Sequence, residues 1–150
     1  MIQIFIDTSV LFAACTSKIG AAAGILRLCK KGQVQGNISE YVINEARRNI
    51  SSLNDQDPKH RLNKYLQQFH LIKVETPSTT EIEYYEEIIN RKDAPILAAA
   101  IKCQAAYLIT FNTKDFMQPK VEKLVKPLKV TTPRDFIFLS RKQYDQSSNF

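Results

Sequence analysis

The sequence has few of the features that mark specialised chains. No apolar run approaches the roughly 18 residues that a membrane span requires, and residues 1–7 carry neither a basic leader nor a cleavage site, so the chain reads as a cytoplasmic protein that does not engage a membrane. Only 4 of its 150 residues are glycine. Neither Gly-x-Gly-x-x-Gly nor Gly-x-x-x-x-Gly-Lys occurs, which removes the nucleotide-binding folds built on those loops. The three cysteines, Cys15, Cys29 and Cys103, are widely and irregularly spaced among apolar neighbours, where a thiol behaves as a small hydrophobe. They read as reduced core residues, not as a disulfide or zinc framework. His60 and His70 have no ligand spacing and no cysteine or serine partner, which argues against zinc and against histidine acid–base chemistry.

What is present suits one globular domain. The chain is 44% hydrophobic and 24% charged, and at this length a compact fold buries roughly two thirds of the unfolded surface, enough for a core without staples. Disorder, collagen and coiled coil are excluded. Against 15 acidic residues stand 21 Lys and Arg, a net charge of +6 with a pI near 9.3, which points to a polyanionic partner such as nucleic acid.

Residues 2–6 are short, β-branched and apolar, the pattern of a strand covered on both faces, and they stop at Asp7. Ser17 is placed to cap a helix through Ala21, Ile25 and Leu28, with Gly32 as its stop. Residues 34–38 read as a second strand, and Ser39 opens a helix carrying Val42, Ile43, Glu45 and Ala46. Residues 51–59 read as a loop, followed by a helix whose Leu62, Tyr65, Leu66 and Phe69 form a core-facing stripe. A strand over 71–74 and a helix over 79–90 with glutamates on its solvated face come next. Asp93-Ala94-Pro95 has the form of a helix start, 107–110 and 128–130 read as strands, and Pro133 opens a closing helix. Residues 1–140 then form one domain, and 141–150 read as a flexible tail.

Strands alternating with helices predict an α/β fold, a central, mostly parallel sheet with helices on both faces, whose functional crevice lies at the carboxyl ends of the strands. Asp7 follows one strand directly and residues 110–115 follow another. Glu45 lies within a helix and Asp93 at a helix start, so these carboxylates, with Asp115 and the neutral Asn112, are candidates for one edge. Like charges brought together raise one another's pKa unless a cation compensates. An oxygen-only set suits Mg²⁺ or Mn²⁺ far better than zinc. Read singly, Asp93 is also an ordinary helix cap and Glu45, beside Arg47 and Arg48, an ordinary helix charge.

The order of these segments carries a resemblance. Ile6-Asp7-Thr8-Ser9-Val10-Leu11, then Ser39 with Glu45 and Ala46, then Asp93 leading Ile96-Leu97-Ala98-Ala99-Ala100, then Leu108-Ile109-Thr110-Phe111-Asn112-Thr113-Lys114-Asp115-Phe116, resemble the PIN domain. Thr132-Pro133-Arg134-Asp135-Phe136 resembles the close of one bacterial branch, so the likeness spans about residues 1–138. The resemblance implies a single PIN-like domain acting as a metal-dependent nuclease, usually a ribonuclease. In small bacterial members this is often the toxin of a toxin–antitoxin pair of the VapC type, commonly a homodimer with a cognate antitoxin as partner.

Carried over by position, Asp7, Glu45 and Asp93 match the family's acidic ligands. The fourth place falls on Asn112, two residues after the motif threonine, or on Asp115 in the Asp-Phe pair, with Asp115 also a catalytic candidate. The expected cofactor is Mg²⁺ or Mn²⁺, and the products carry 5′-phosphate and 3′-hydroxyl. Thr8, Ser9 and Thr110 would brace the carboxylates or the phosphate. Arg47, Arg48, Lys114 and Lys120 are candidates for RNA contact. A haloacid-dehalogenase-type phosphatase would need an Asp where Ser9 stands, and a receiver domain another acidic pair near the first strand. The competing reading is a PIN-like module that binds RNA or protein without cutting.

Overall fold

The computed structural model describes residues 1–148. Five strands, β1 (Gln3–Ile6), β2 (Gln35–Ile38), β3 (Ile72–Lys73), β4 (Tyr107–Ile109) and β5 (Lys129–Thr131), form one parallel sheet in the order β3-β2-β1-β4-β5. β1 is central, and its Ile4, Phe5 and Ile6 are wholly buried, as expected of a strand covered on both faces. The chain winds from β1 outward through β2 to β3, then returns to β4 on the other side. The order therefore reverses between β1 and β4, and in parallel sheets of this kind the carboxyl ends of the strands at such a reversal are where a binding crevice forms.

Nine helices are described: α1 (Thr8–Thr16), α2 (Ala21–Lys30), α3 (Glu40–Ser51), α4 (Gln56–Gln68), α5 (Thr79–Glu86), α6 (Ala94–Lys102), α7 (Thr113–Phe116), α8 (Pro119–Val125) and α9 (Pro133–Ser148). The first helix differs from expectation. α1 follows β1 with only Asp7 between them, and Ser17 ends it, its N–H donating to the Ala13 carbonyl at 3.0 Å. α1 is apolar on most sides and buries Val10, Leu11, Ala14 and Cys15, so its sequence carries no amphipathic period. α2 starts after Gly20 instead.

The loop expected over 51–59 is mostly the start of α4. Asp55 accepts a hydrogen bond from the Asp57 N–H at 3.0 Å and Pro58 sits in the first turn, so the residues that suggest a loop are a cap and a first turn. α5 opens on a reciprocal cap between Ser78 and Glu81 and stops at Glu86, short of the expected 90. α9 continues to Ser148 where a tail is expected from Arg141; residues 149–150 of that expected tail lie outside the described residues.

Leu62, Tyr65 and Phe69 are buried as the stripe predicts, and the Tyr65 hydroxyl donates to the Ala14 carbonyl at 2.8 Å. Gly36 lets α2 and the segment before β3 close on β2: a Cβ there would lie 2.7 Å from both Cys29 Sγ and Leu71 Cδ2. All three cysteines are free, and burial pushes the Cys15 and Cys29 thiols up to about 12. Both histidines are exposed. Among the described residues no single helix is long and apolar enough to cross a membrane.

Candidate active site at the carboxyl edge of the sheet

Asp7 stands at the switch point. Its N–H continues the β1–β4 ladder to the Ile109 carbonyl at 3.1 Å, and its own carbonyl accepts from Val10 and Leu11 to start α1. Although Asp7 occupies the capping position, its carboxylate makes no cap bond. Instead Oδ2 accepts from Ser9 Oγ at 2.7 Å and from Thr110 Oγ1 at 2.6 Å. Asp7 is 4% exposed, and burial raises its pKa above the ordinary carboxylate range; the Thr110 and Ser9 hydroxyls and the Thr8 N–H oppose that rise, while the Glu45 charge adds to it.

Glu45 reaches the same edge from the second turn of α3, whose start is fixed by Ser39 accepting from the Val42 N–H at 3.3 Å. The Thr8 hydroxyl donates to Glu45 Oε1 at 2.5 Å, and the Lys92 ammonium stands 4.0 Å from Oε2. Lys92 is largely exposed, so it screens the buried carboxylate weakly.

Asp93 occupies the capping position of α6 and also makes no cap bond. The Asn90 side chain grips it twice: Nδ2 donates to Asp93 Oδ2 at 2.7 Å and Oδ1 accepts from the Asp93 N–H at 3.1 Å. Asn112 Nδ2 donates to the same oxygen at 3.1 Å. Burial raises the Asp93 pKa, the Asp7 and Asp115 charges push it further, and Asn90 and Asn112 oppose them. Asp93 thus lies within electrostatic reach of Asp7 and Asp115, and Asp7 within reach of Glu45.

Both candidates for the fourth place come to this edge in different capacities. Asn112 donates its side-chain amide to Asp93 and its backbone N–H to Thr110 Oγ1 at 2.9 Å. Asp115, in α7 and partly exposed, acts on Asp93 through charge. Thr8, Ser9 and Thr110 each bond a carboxylate directly.

The basic candidates are more scattered. Arg48 acts on the Tyr41 hydroxyl, whereas Arg47 lines a groove with Ile38, Ile43, Leu66 and Leu71. Lys114 and Lys120 are exposed on α7 and α8.

Tyr41, Asn90 and Lys92 escape sequence reasoning. The Tyr41 hydroxyl donates to the Lys92 carbonyl at 3.0 Å; its pKa is raised chiefly by burial, then by Glu45, with Arg48 opposing and Asp93 and Asp7 adding. Tyr41 precedes Glu45 by one helical turn, and Asn90 precedes Asp93 by the spacing of a side-chain-to-backbone turn, so a signal for both was present.

Among the described residues no three acidic, histidine or cysteine side chains are gathered closely enough to hold a metal ion, and no buried side-chain polar atom lacks a partner. The donor set nonetheless fits a hard cation. It is all oxygen, its like charges are buried together, and the ammonium nearest to Glu45 is solvent-exposed. Side-chain donors converge on one oxygen of each carboxylate: Oδ2 of Asp7, Oδ2 of Asp93 and Oε1 of Glu45.

The PIN domain profile matches residues 3–114. No curated protein is similar enough in sequence to match. VapBC2 from Rickettsia felis, solved bound to a DNA fragment from its promoter, is similar with a TM-score of 0.62 at 21% identity over 87% of this chain and 98% of that one. PAE2754 from Pyrobaculum aerophilum is similar with a TM-score of 0.62 at 16% identity over 94% of this chain and 96% of that one. FitAB bound to an IR36 DNA fragment gives 0.58 at 16% identity over 87% and 94%.

Proposed function

We propose, from the premise that this chain belongs to the PIN domain family, that it is a divalent-cation-dependent endoribonuclease. In this reading it serves in the cytoplasm as the toxin of a toxin–antitoxin pair. The observation that carries the reading is the placement of Asp7, Glu45 and Asp93, all buried, at the carboxyl edge of the sheet, with no buried cation among the described residues to compensate their charge. The likeness to VapBC2 and FitAB supports a cognate antitoxin as partner, and the family resemblance supports a homodimer.

Asp7, Glu45 and Asp93 would hold Mg²⁺ or Mn²⁺, which when bound supplies an acidified water and neutralises charge developing on the phosphate. Ser9 and Thr110 fix the Asp7 carboxylate by occupying one of its oxygens, and Asn90 with Asn112 does the same for Asp93. Thr8 orients Glu45, whose Oε2 is left to orient the attacking water. Asp115 adds charge at the outer rim. Hydrolysis of the phosphodiester leaves 5′-phosphate and 3′-hydroxyl ends.

One observation favours a second reading, an RNA- or protein-binding module that does not cut: Asn112 contributes an uncharged donor at the fourth place. The experiment that separates the two is cleavage of an end-labelled structured RNA with Mg²⁺ or Mn²⁺ and with EDTA. Wild type is compared with Asp7→Asn and Asp93→Asn, which keep shape and remove charge. Metal-dependent cutting abolished by both substitutions is expected. RNA binding without cutting, unchanged by either, defeats the nuclease reading.

A further inference from the structure

Among the described residues three aromatic side chains are strongly exposed: Tyr84 at 60%, Phe138 at 59% and Phe111 at 47%. Tyr84 packs edge-on against Tyr85, and Phe138 lies under the Lys142 ammonium at 4.7 Å. Phe111 alone of these has neither a ring nor a cation partner among the described residues. It is also the one at the carboxylate edge, flanked by Thr110, which bonds Asp7, and Asn112, which bonds Asp93.

Its backbone is pinned on both sides. The Phe111 N–H donates to Ser9 Oγ at 3.1 Å, and the next N–H, of Asn112, donates to Thr110 Oγ1 at 2.9 Å. A rigidly mounted aromatic face left in solvent beside a phosphodiester-binding edge has the form of a base platform. The ring offers contact area at little entropic cost, and every nucleobase presents a π-face to it.

We infer that Phe111 is a stacking platform for an unpaired nucleobase next to the scissile phosphate, an inference that rests on the ribonuclease reading above. The carboxylates repel a phosphate chain, so stacking supplies an attraction that does not depend on charge, with the exposed Lys114 on the following turn beside the strand. A base held in a duplex has no free face to offer, so the platform selects single-stranded segments and loops.

The sequence contains no tryptophan, so Phe111→Trp installs a single emitter at this point. It is placed in an Asp7→Asn background, where no strand is cut and repulsion is reduced. The probes are hexaadenylate, hexauridylate and an abasic hexamer carrying the same phosphates. Emission is expected to change on saturation with both base-bearing hexamers and not with the abasic one. In the same background Phe111→Ala should weaken hexaadenylate binding by about 5- to 150-fold. Abasic binding and the melting temperature should stay unchanged, and Phe111→Tyr should retain affinity.

Equal hexaadenylate binding by Phe111→Ala, or an equal loss with the abasic hexamer, overturns the platform. So does tryptophan emission that responds to no oligonucleotide. If the wild type still cuts RNA in a metal-dependent manner in those cases, the nuclease reading survives the loss of the platform; a wild type that neither binds nor cuts RNA removes both.

Discussion

Thr110→Val is the substitution that most directly tests how the site is held. Thr110 is wholly buried, and its hydroxyl donates to Asp7 Oδ2 at 2.6 Å, accepts from the Asn112 N–H at 2.9 Å and lies at the longer distance of 3.5 Å from Ser9 Oγ. Valine has nearly the same shape, so no cavity opens and the loss is polar. A hydrogen bond to a charged group contributes about 1.5–3 kcal/mol and a neutral one about 1 kcal/mol, so roughly 2–4 kcal/mol should be lost. For a chain of this size that is a fall in Tm of roughly 5–15 °C.

The loss should also depend on pH. Among the groups that oppose the burial-driven rise of the Asp7 pKa, Thr110 is the foremost, and its hydroxyl favours the ionised form. The deficit is therefore full where Asp7 is charged and shrinks as pH falls through the folded-state pKa of Asp7. Thermal unfolding followed by circular dichroism from about pH 8 to about pH 4 reads both effects. Thr110→Ser should restore most of the stability. A Tm within about 2 °C of wild type, or a deficit that stays constant with pH and persists in an Asp7→Asn background, would refute the reasoning.

Three further outcomes are expected. Because burial and neighbouring charges raise the Asp7 pKa, the folded metal-free protein binds that proton more tightly than the unfolded chain. Its favourable contribution is complete below the ordinary carboxylate range and is lost as pH rises through the folded pKa. Asp7→Asn should accordingly raise the Tm of the metal-free protein at neutral pH and have little effect at about pH 4. Mg²⁺ at a hundredfold excess over its Kd should add about 2.7 kcal/mol to wild type and little to Asp7→Asn; a metal shift equal in both excludes Asp7 as a ligand. Gly36→Ala should cost roughly 1–3 kcal/mol in urea unfolding by pressing on Cys29 and Leu71, and Cys29→Ala should relieve part of that cost; strict additivity contradicts the contact.

The sheet was legible because buried parallel strands write themselves as short apolar runs, and 2–6 and 107–110 are such runs. The strand order was not, since pairing β1 with both β2 and β4 is a non-local choice. α1 stayed hidden because a helix buried on most sides has no polar face to set its period. Asp93 illustrates how the site was ambiguous: its sequence context is that of a cap, and only the structure turns its carboxylate away from α6 toward Asn90 and Asn112. Glu45 was legible only through the order of the motifs. Lys92 left no trace, because its place depends on a backbone carbonyl held by Tyr41, and carbonyls carry no sequence signal.

Three aspartates precede helices in this chain. Asp55 turns its carboxylate back onto the backbone of its own helix, while Asp7 and Asp93, the same residue in the same position, make no capping bond with theirs. An ordinary cap is worth about 1 kcal/mol, so α1 and α6 begin without a contribution that their sequence would permit. Selection for heat resistance alone would favour residues at 7 and 93 that face their helices, and each gain would come from the carboxylates on which the chemistry is proposed to depend. The starts of α1 and α6 are thus places where two demands on one side chain meet, the stability of a helix and the chemistry proposed for the site.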